Sequence, residues 1–291
     1  MVINMISVII PAFNEESAIN ATVDEAKNLF DRIDITEYEI IVVDDGSTDN
    51  TSNEAIKSGA IVITNPHNMG YGYSIKHGIS IARYDTIIIT DADMTYPFEY
   101  AIKLIEQKAK GFDLVVGQRT GKYYRESPLK MFLRFILRKL VEFTAGRKIP
   151  DINSGFRIFS KETIIPYFSK LCDTFSFTTS QTLAYMMTGK FVKYVEIPYN
   201  KRKGKSKVRL IKDMSRTMQY IVEAAVYYNP LRIFLLFSII CTFLALIGFV
   251  FSNRLGLQIG YFLGIGGLLM ALVVFCAGLI AVLLKQIMDK S

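Results

Sequence analysis

From residue 5 to about residue 120 the chain repeats one pattern: a short apolar run rich in Ile and Val, a polar break, then apolar positions at helical spacing. "ISVIIP", "YEIIVVDDGS", "AIVITN", "DTIIITDAD" and "FDLVVGQR" read as strands, most of them apolar enough to be buried on both faces. Between them, Glu15 to about Ile33, "TDNTSNEAIKSG" and Gly70 to Arg83 read as helices. Regular alternation of this kind predicts an α/β domain with a mostly parallel, Rossmann-like sheet and helices on both faces. Ligands in such sheets bind at the carboxyl ends of the strands. Those ends carry Asn14 and Glu15, Asp44 and Asp45, Asn65, and Asp91 and Asp93, so one crevice is expected to gather several carboxylates.

The pattern changes near residue 230. Ile233 to Phe251 is 19 residues without a charge, Leu255 to Leu284 is another 30, and only Ser252-Asn253-Arg254 lies between. A bilayer core takes about 20 apolar residues per helix, so a two-helix transmembrane hairpin is expected over 231–285, with spans at about 231–251 and 257–284. Gly256, Gly260 and Gly264 recur every four residues, which lets a helix approach closely, either the first span or that of a second subunit in a homo-oligomer. Lys and Arg cluster before the first span, and Lys285 and Lys290 follow the second, so the N-terminal domain and both termini are expected in the cytoplasm of a multi-pass protein of the cell membrane. "MVINMISVIIPAF" has no cationic start and reads as strand rather than signal peptide. Two amphipathic basic segments, 127–147 and 208–230, suit helices lying in the headgroup layer. The first carries Arg134, Arg138 and Lys139 as candidate contacts for lipid phosphate or headgroups.

Composition narrows the chemistry. An apolar content of 51% with 21% charged residues excludes disorder, and 34 Lys and Arg against 27 Asp and Glu give +7, which favours anionic partners. The cations cluster beside the spans, where anionic lipid explains them, so no nucleic-acid role is read. Three unpaired cysteines support neither a disulfide framework nor a cysteine zinc site. Neither a GxGxxG turn after the first strand nor a Walker lysine motif is present. An acidic crevice holds phosphates only through a cation, and Mg²⁺ or Mn²⁺ takes one or two carboxylates plus phosphate oxygens. Asp91 and Asp93, one residue apart at a strand end, are the candidate metal ligands.

"SVIIPAFNEE", "IIVVDDGSTDNT", "NMGYGYSIKHGI", "DADMTYP" and "DINSGFRIF" stand in the order and approximate spacing of family 2 glycosyltransferases with a GT-A fold. The resemblance is to the subgroup of dolichyl-phosphate mannose synthases and bactoprenol glucosyltransferases, over roughly residues 5 to 210. It implies a GT-A domain over 1–207 that moves a hexose, with inversion, from UDP-hexose or GDP-mannose to undecaprenyl or dolichyl phosphate, for glycan or glycoprotein assembly. The resemblance places Pro11, Phe13, Glu15, Asp44, Asp45 and Ala92 around the nucleotide sugar, Asp91 and Asp93 on the metal, and Arg119 and Arg157 facing the phosphates. Asp151 is expected to contact the sugar or to orient Arg157. In "KRKGKSK", Lys201 stands where the subgroup has Arg, Arg202 is one place late, and Ser206 and Lys207 match; which cation meets the diphosphate stays open among Lys201, Arg202, Lys205 and Lys207. The Lys usual in the glycine turn is Tyr71. A membrane-anchored transferase with a soluble or protein acceptor, and a noncatalytic membrane scaffold, are the alternatives. A processive polysaccharide synthase is not, because its QxxRW motif needs a Trp and the chain has none.

Overall fold

The computed structural model describes residues 3–121, 128–202, 210–256 and 258–288, with side chains left aside in parts of two helices and at a few other positions. Lys205, Ser206 and Lys207 lie outside the described residues, as does the side chain of Arg134.

The chain order is β1 (Met5–Ala12), α1 (Ile19–Arg32), β2 (Glu37–Asp44), α2 (Thr51–Lys57), β3 (Ile61–Thr64), α3 (Tyr71–Ile81), β4 (Thr86–Ile89), α4 (Ala101–Ala109) and β5 (Leu114–Thr120). It continues with α5 (Pro128–Ala145), β6 (Arg157–Ser160), α6 (Lys161–Ile164), α7 (Phe177–Met187), β7 (Val192–Pro198), α8 (Leu210–Tyr228), α9 (Pro230–Leu255) and α10 (Gln258–Met288). The seven strands form one sheet in the order β3-β2-β1-β4-β6-β5-β7. β1 pairs in parallel with β2 on one side and with β4 on the other, so the winding reverses between β1 and β4. At that point the loops after the two strands diverge and leave a crevice. β6 departs from the expected alternation: it runs antiparallel to both β4 and β5. Its pairing sets Arg157 opposite Ile89 at the end of β4 and opposite Val116 in β5.

Alternate positions of each strand serve the two faces. Ile6, Val8 and Ile10 of β1 join Val23, Leu29 and Phe30 of α1, with Phe98 and Leu104, in one buried cluster. Ile9 and Val43 face the other way and meet α3 at Gly78, where a Cβ would lie 2.6 Å from the Ile9 side chain. Each fully buried Ile, Leu or Phe contributes roughly 1.5–3 kcal/mol, so this core fixes the strand ends that carry the site.

Two compact units divide the chain at Tyr220/Ile221. In the second, α9 and α10 are long and apolar enough to cross a membrane and bury little of themselves in protein. That is the pattern of spanning helices rather than core helices. The first span continues beyond Phe251 to Leu255 and ends on Gly256, whose φ of +65° is the left-handed cap that glycine favours. Gly256 therefore terminates one helix instead of opening the glycine stripe of the next, a correction to the periodicity read above. The stripe itself packs inside the hairpin: a Cβ on Gly248 would lie 2.9 Å from Gly260 O, and one on Gly264 would lie 2.6 Å from the Phe249 ring. Ser238 Oγ adds a 2.9 Å bond to Ala271 O across the pair.

Substituting Gly248→Leu should lower the unfolding midpoint of the full-length protein in detergent by several degrees, as overpacking costs about 1–3 kcal/mol. Gly266→Leu, where a Cβ meets nothing within 4 Å, should leave it unchanged. Equal midpoints for both variants would contradict glycine-mediated packing of the hairpin.

Candidate active site

The crevice is built from strand ends. Asn14 after β1 and Met94 after β4 both take left-handed backbone, with φ of 52° and 61°. Non-glycine residues held there carry backbone strain of order 1–3 kcal/mol and persist where the surrounding structure over-determines them. The turn at Met94 lets Thr95 donate back to Asp93 Oδ1, from its amide at 3.1 Å and its hydroxyl at 2.5 Å. Asp93 is 4% exposed. Asp91 Oδ1 accepts the Tyr71 hydroxyl at 2.9 Å. Burial, and then the charge of Asp93, push the Asp91 carboxyl up to about 7 against the opposing pull of Tyr71, Arg119 and Arg202. Burial followed by the Asp91 charge raises Tyr71 well above its usual range, so its hydroxyl stays a donor.

One cation answers this pair. Arg202 places Nε 3.2 Å from Asp93 Oδ2 and an NH2 nitrogen 2.8 Å from Glu15 Oε1. Burial alone would lower its pKa; Asp93 and Glu15 outweigh that and raise it. Among the cations left open by the altered motif, Arg202 thus reaches the carboxylates, while Lys201 is exposed. Glu15 itself is buried, and its amide donates to Thr51 Oγ1 at 2.8 Å.

Arg119 and Asp151 form a second, drier ion pair. Nε and NH2 of Arg119 donate to the two oxygens of Asp151 at 2.7 and 2.8 Å, and the Arg119 amide adds a third bond. Their side chains are 11% and 2% exposed. Burial alone would raise the Asp151 carboxyl; the charge and hydrogen bonds of Arg119 hold it below the usual range. Tyr199 lies against the guanidinium at 5.4 Å. Asp151 therefore orients Arg119, and not Arg157 as the motif order suggested. Arg157 is fully buried. It donates to Ser154 O, Ile152 O, Gln181 Oε1 and Thr182 Oγ1, and burial lowers its pKa. Its place is beneath the 152–155 loop, which it ties to α7. Gly155 in that loop has no room for a side chain, since a Cβ would lie 2.6 Å from Asp91 Oδ1.

Asp45 and Asp44 hold loops. Asp45 accepts from Met69 N, Gly70 N and Asn65 Nδ2 at 2.8–2.9 Å, which shapes the approach to α3. Asp44 accepts from Ser47 N at 2.8 Å and from the Ser52 hydroxyl. Pro11 is buried in β1, Phe13 is half-buried just beyond it, and Ala92 is buried with its carbonyl accepting from Thr22 Oγ1. Tyr71, Thr95 and Gly155 shape the carboxylate pair, and motif order left all three unassigned. For Thr95 a local signal exists, a hydroxyl two residues after an aspartate at a turn.

The pattern of glycosyl transferase family 2 matches residues 7–168, more than half of the chain. The chain belongs to glycosyl transferase family 2. Its relatives include the low-salt glycan biosynthesis hexosyltransferase Agl6 of Haloferax volcanii, 30% identical over 93% of this chain and 66% of that one. A dolichyl-phosphate hexose transferase of the same organism is 28% identical over 70% of this chain and 86% of that one. The fold is that of a solved glucosyl-3-phosphoglycerate synthase from Mycobacterium tuberculosis in complex with Mn²⁺, uridine diphosphate and phosphoglyceric acid. The two align with a TM-score of 0.61 at 21% identity, over 76% of this chain and 78% of that one. The expected GT-A architecture of a family 2 glycosyltransferase is thus present, with its carboxylates at the switch point between β1 and β4.

Truncating Asp151 to Ala would remove the carboxylate that pairs with the buried Arg119, and breaking a buried ion pair costs roughly 3–5 kcal/mol. Urea unfolding of this glycosyltransferase should register the loss near neutral pH. Because the Asp151 carboxyl is depressed in the folded state, its contribution is present above the unfolded value near 4 and disappears as pH falls through the folded value. The gap between wild type and Asp151→Ala should therefore close in acid. A gap that stays constant down to pH 2 would contradict the ion-pair account.

Proposed function

We propose that the chain transfers a hexose from a nucleotide sugar, UDP-hexose or GDP-mannose, to a polyisoprenyl phosphate at the cytoplasmic face of a membrane, with inversion and with Mg²⁺ or Mn²⁺. The observation that carries this reading is the pair Asp91 and Asp93, half-buried and buried side by side at a strand end in a chain that also has two membrane-length helices. The dolichyl-phosphate hexose transferase among the relatives supports the lipid acceptor, and the Mn²⁺ and uridine diphosphate in the fold neighbour support the donor and the metal.

The residues fit a hard divalent cation. Their donors are carboxylate oxygens from two aspartates separated by one residue at a strand end. That suits an ion bound by one or two carboxylates that completes its shell with water and phosphate oxygens. Asp91 and Asp93 would hold it, and when bound it supplies charge neutralisation for the departing diphosphate. Arg119, held by Asp151, and Arg202 add positive charge near the pair, where preorganised electrostatics is worth most. The acceptor phosphate is already an anion near neutral pH. Its oxygen attacks the anomeric carbon as the bond to the nucleoside diphosphate breaks, and no general base is required. Pro11, Phe13, Glu15, Asp44, Asp45 and Ala92, at the ends of β1, β2 and β4, serve the base and ribose of the donor. Arg157 acts through the 152–155 loop.

The basic helix α5 serves the membrane end of the reaction. Phe135 is 47% exposed, with Arg138 and Lys139 5.7 and 5.8 Å from its ring, an apolar body flanked by cations that suits a headgroup layer. Gly260, Gly264, Gly267 and Gly278 of α10 are occupied within the hairpin, whereas Gly266 meets nothing and is the α10 glycine left for a second copy in a homo-oligomer.

A panel of nucleotide sugars with polyprenyl phosphate, scored for labelled sugar in the organic phase, tests the function. One donor should give lipid-linked product, and Asp91→Asn or Asp93→Asn should remove at least 99% of it in folded protein. Product confined to the aqueous phase would point to a soluble acceptor. Metal affinity should also follow pH. Asp91, pushed up to about 7, must lose its proton to bind a cation, so calorimetric Mn²⁺ affinity should rise from pH 6 to 8 and level off above. A flat profile would contradict the assignment of Asp91.

A further inference from the structure

We propose that Tyr71 is a positioning residue for Asp91: its hydroxyl holds Oδ1 and so presents Oδ2 to the cation. This rests on the reading of Asp91 as a metal ligand. The observations are independent of the motif order, which marks position 71 only as a departure. Tyr71 opens α3, and its hydroxyl lies 2.9 Å from Asp91 Oδ1. The backbone beneath it is docked tightly. A Cβ on Gly70 would lie 2.6 Å from Asp173 O, one on Gly72 would lie 2.1 Å from Cys172 O, and Tyr73 N donates to Asp173 O at 3.0 Å. The 172–174 segment is itself fastened, through Cys172 N to Ser180 Oγ and an ion pair between Asp173 and Lys76.

The ring is fixed as well. Phe175 stacks on Tyr71 with centroids 5.7 Å apart and planes 13° from parallel, although Phe175 is 45% exposed. At the hydroxyl end, a Cβ at position 155 would come within 2.6 Å of Asp91 Oδ1 and 2.8 Å of the Tyr71 hydroxyl. Only glycine there leaves space for the hydroxyl–carboxylate pair. Asp93 follows the same plan, with Thr95 on Oδ1 and Arg202 near Oδ2. Each aspartate thus has one oxygen held by a neutral donor. A carboxylate held at one oxygen has lost most of its rotational freedom before a cation arrives, which raises affinity by removing that cost from binding.

The test uses the full-length protein in detergent and reads Mn²⁺ affinity by calorimetry with UDP present, alongside the thermal unfolding midpoint. Tyr71→Phe keeps the stacked ring and removes the donor. Losing a group that orients a metal-binding side chain costs about tenfold or more in metal affinity, so Tyr71→Phe should weaken Mn²⁺ at least tenfold while the midpoint moves little. Phe175→Leu keeps the hydroxyl but frees the ring and should weaken Mn²⁺ by a smaller factor; it carries the test should Tyr71→Phe not fold. Asp91→Asn provides the reference. Loss of Mn²⁺ binding in Asp91→Asn together with wild-type affinity in Tyr71→Phe, or in Phe175→Leu as its stand-in, would overturn the role of Tyr71 alone. Wild-type affinity in Asp91→Asn as well would overturn the metal reading beneath it.

Discussion

Two carboxylates brought together at a strand end, Asp93 buried and Asp91 half-buried, repel each other, and much of the site is arranged around that repulsion. Burial, and then the charge of Asp93, push the Asp91 carboxyl up to about 7, so the pair resists full ionisation at neutral pH. Arg202 supplies positive charge, Tyr71 and Thr95 supply donors, and Arg119 acts from slightly further away. The arrangement is poised to take up a divalent cation, since a cation relieves the repulsion that folding creates. A fold that buries Ile87, Ile88 and Ile89 completely makes this possible, because it fixes the backbone from which both aspartates leave.

Charge is distributed by burial. Arg119 and Asp151 satisfy each other in a largely dry pair, and Arg157 donates to two backbone carbonyls, the Gln181 amide oxygen and the Thr182 hydroxyl under the 152–155 loop. Arg202, 30% exposed, is the arginine that meets the acidic pair across a wetter boundary. The first two arginines therefore act as framework and field, and Arg202 is placed where it can exchange partners when an anionic ligand enters.

Much of this was legible in the chain. The apolar runs located the strands because parallel strands covered on both faces must be apolar throughout. The carboxylates stood out because they end such a run. The orientation of β6 is not legible: the four residues Arg157 to Ser160 are too short a run to mark a direction, and only pairing with β4 and β5 sets it antiparallel. The partner of Asp151 was missed for a similar reason, since Arg119 lies 32 residues away and only the β5–β6 pairing brings them together. Arg157 looked like a site residue because its motif does, yet a strand residue facing a polar buried helix points inward. Gly256 fitted a four-residue repeat by sequence and a helix cap by conformation. Tyr71 carries no pattern of its own, because a hydroxyl aimed at a carboxylate 20 residues away is a property of the fold.

The central claim is that the Asp91–Asp93 pair and a nucleoside diphosphate share one divalent cation. A crystal structure of the full-length protein grown with Mn²⁺ and UDP or GDP, with anomalous data at the manganese edge, addresses it most directly. The account predicts one strong peak within bonding distance of both carboxylates and of diphosphate oxygens, with the Arg202 guanidinium moved from Asp93 toward the phosphates. Nucleotide bound in the crevice with no manganese at the two aspartates would contradict it.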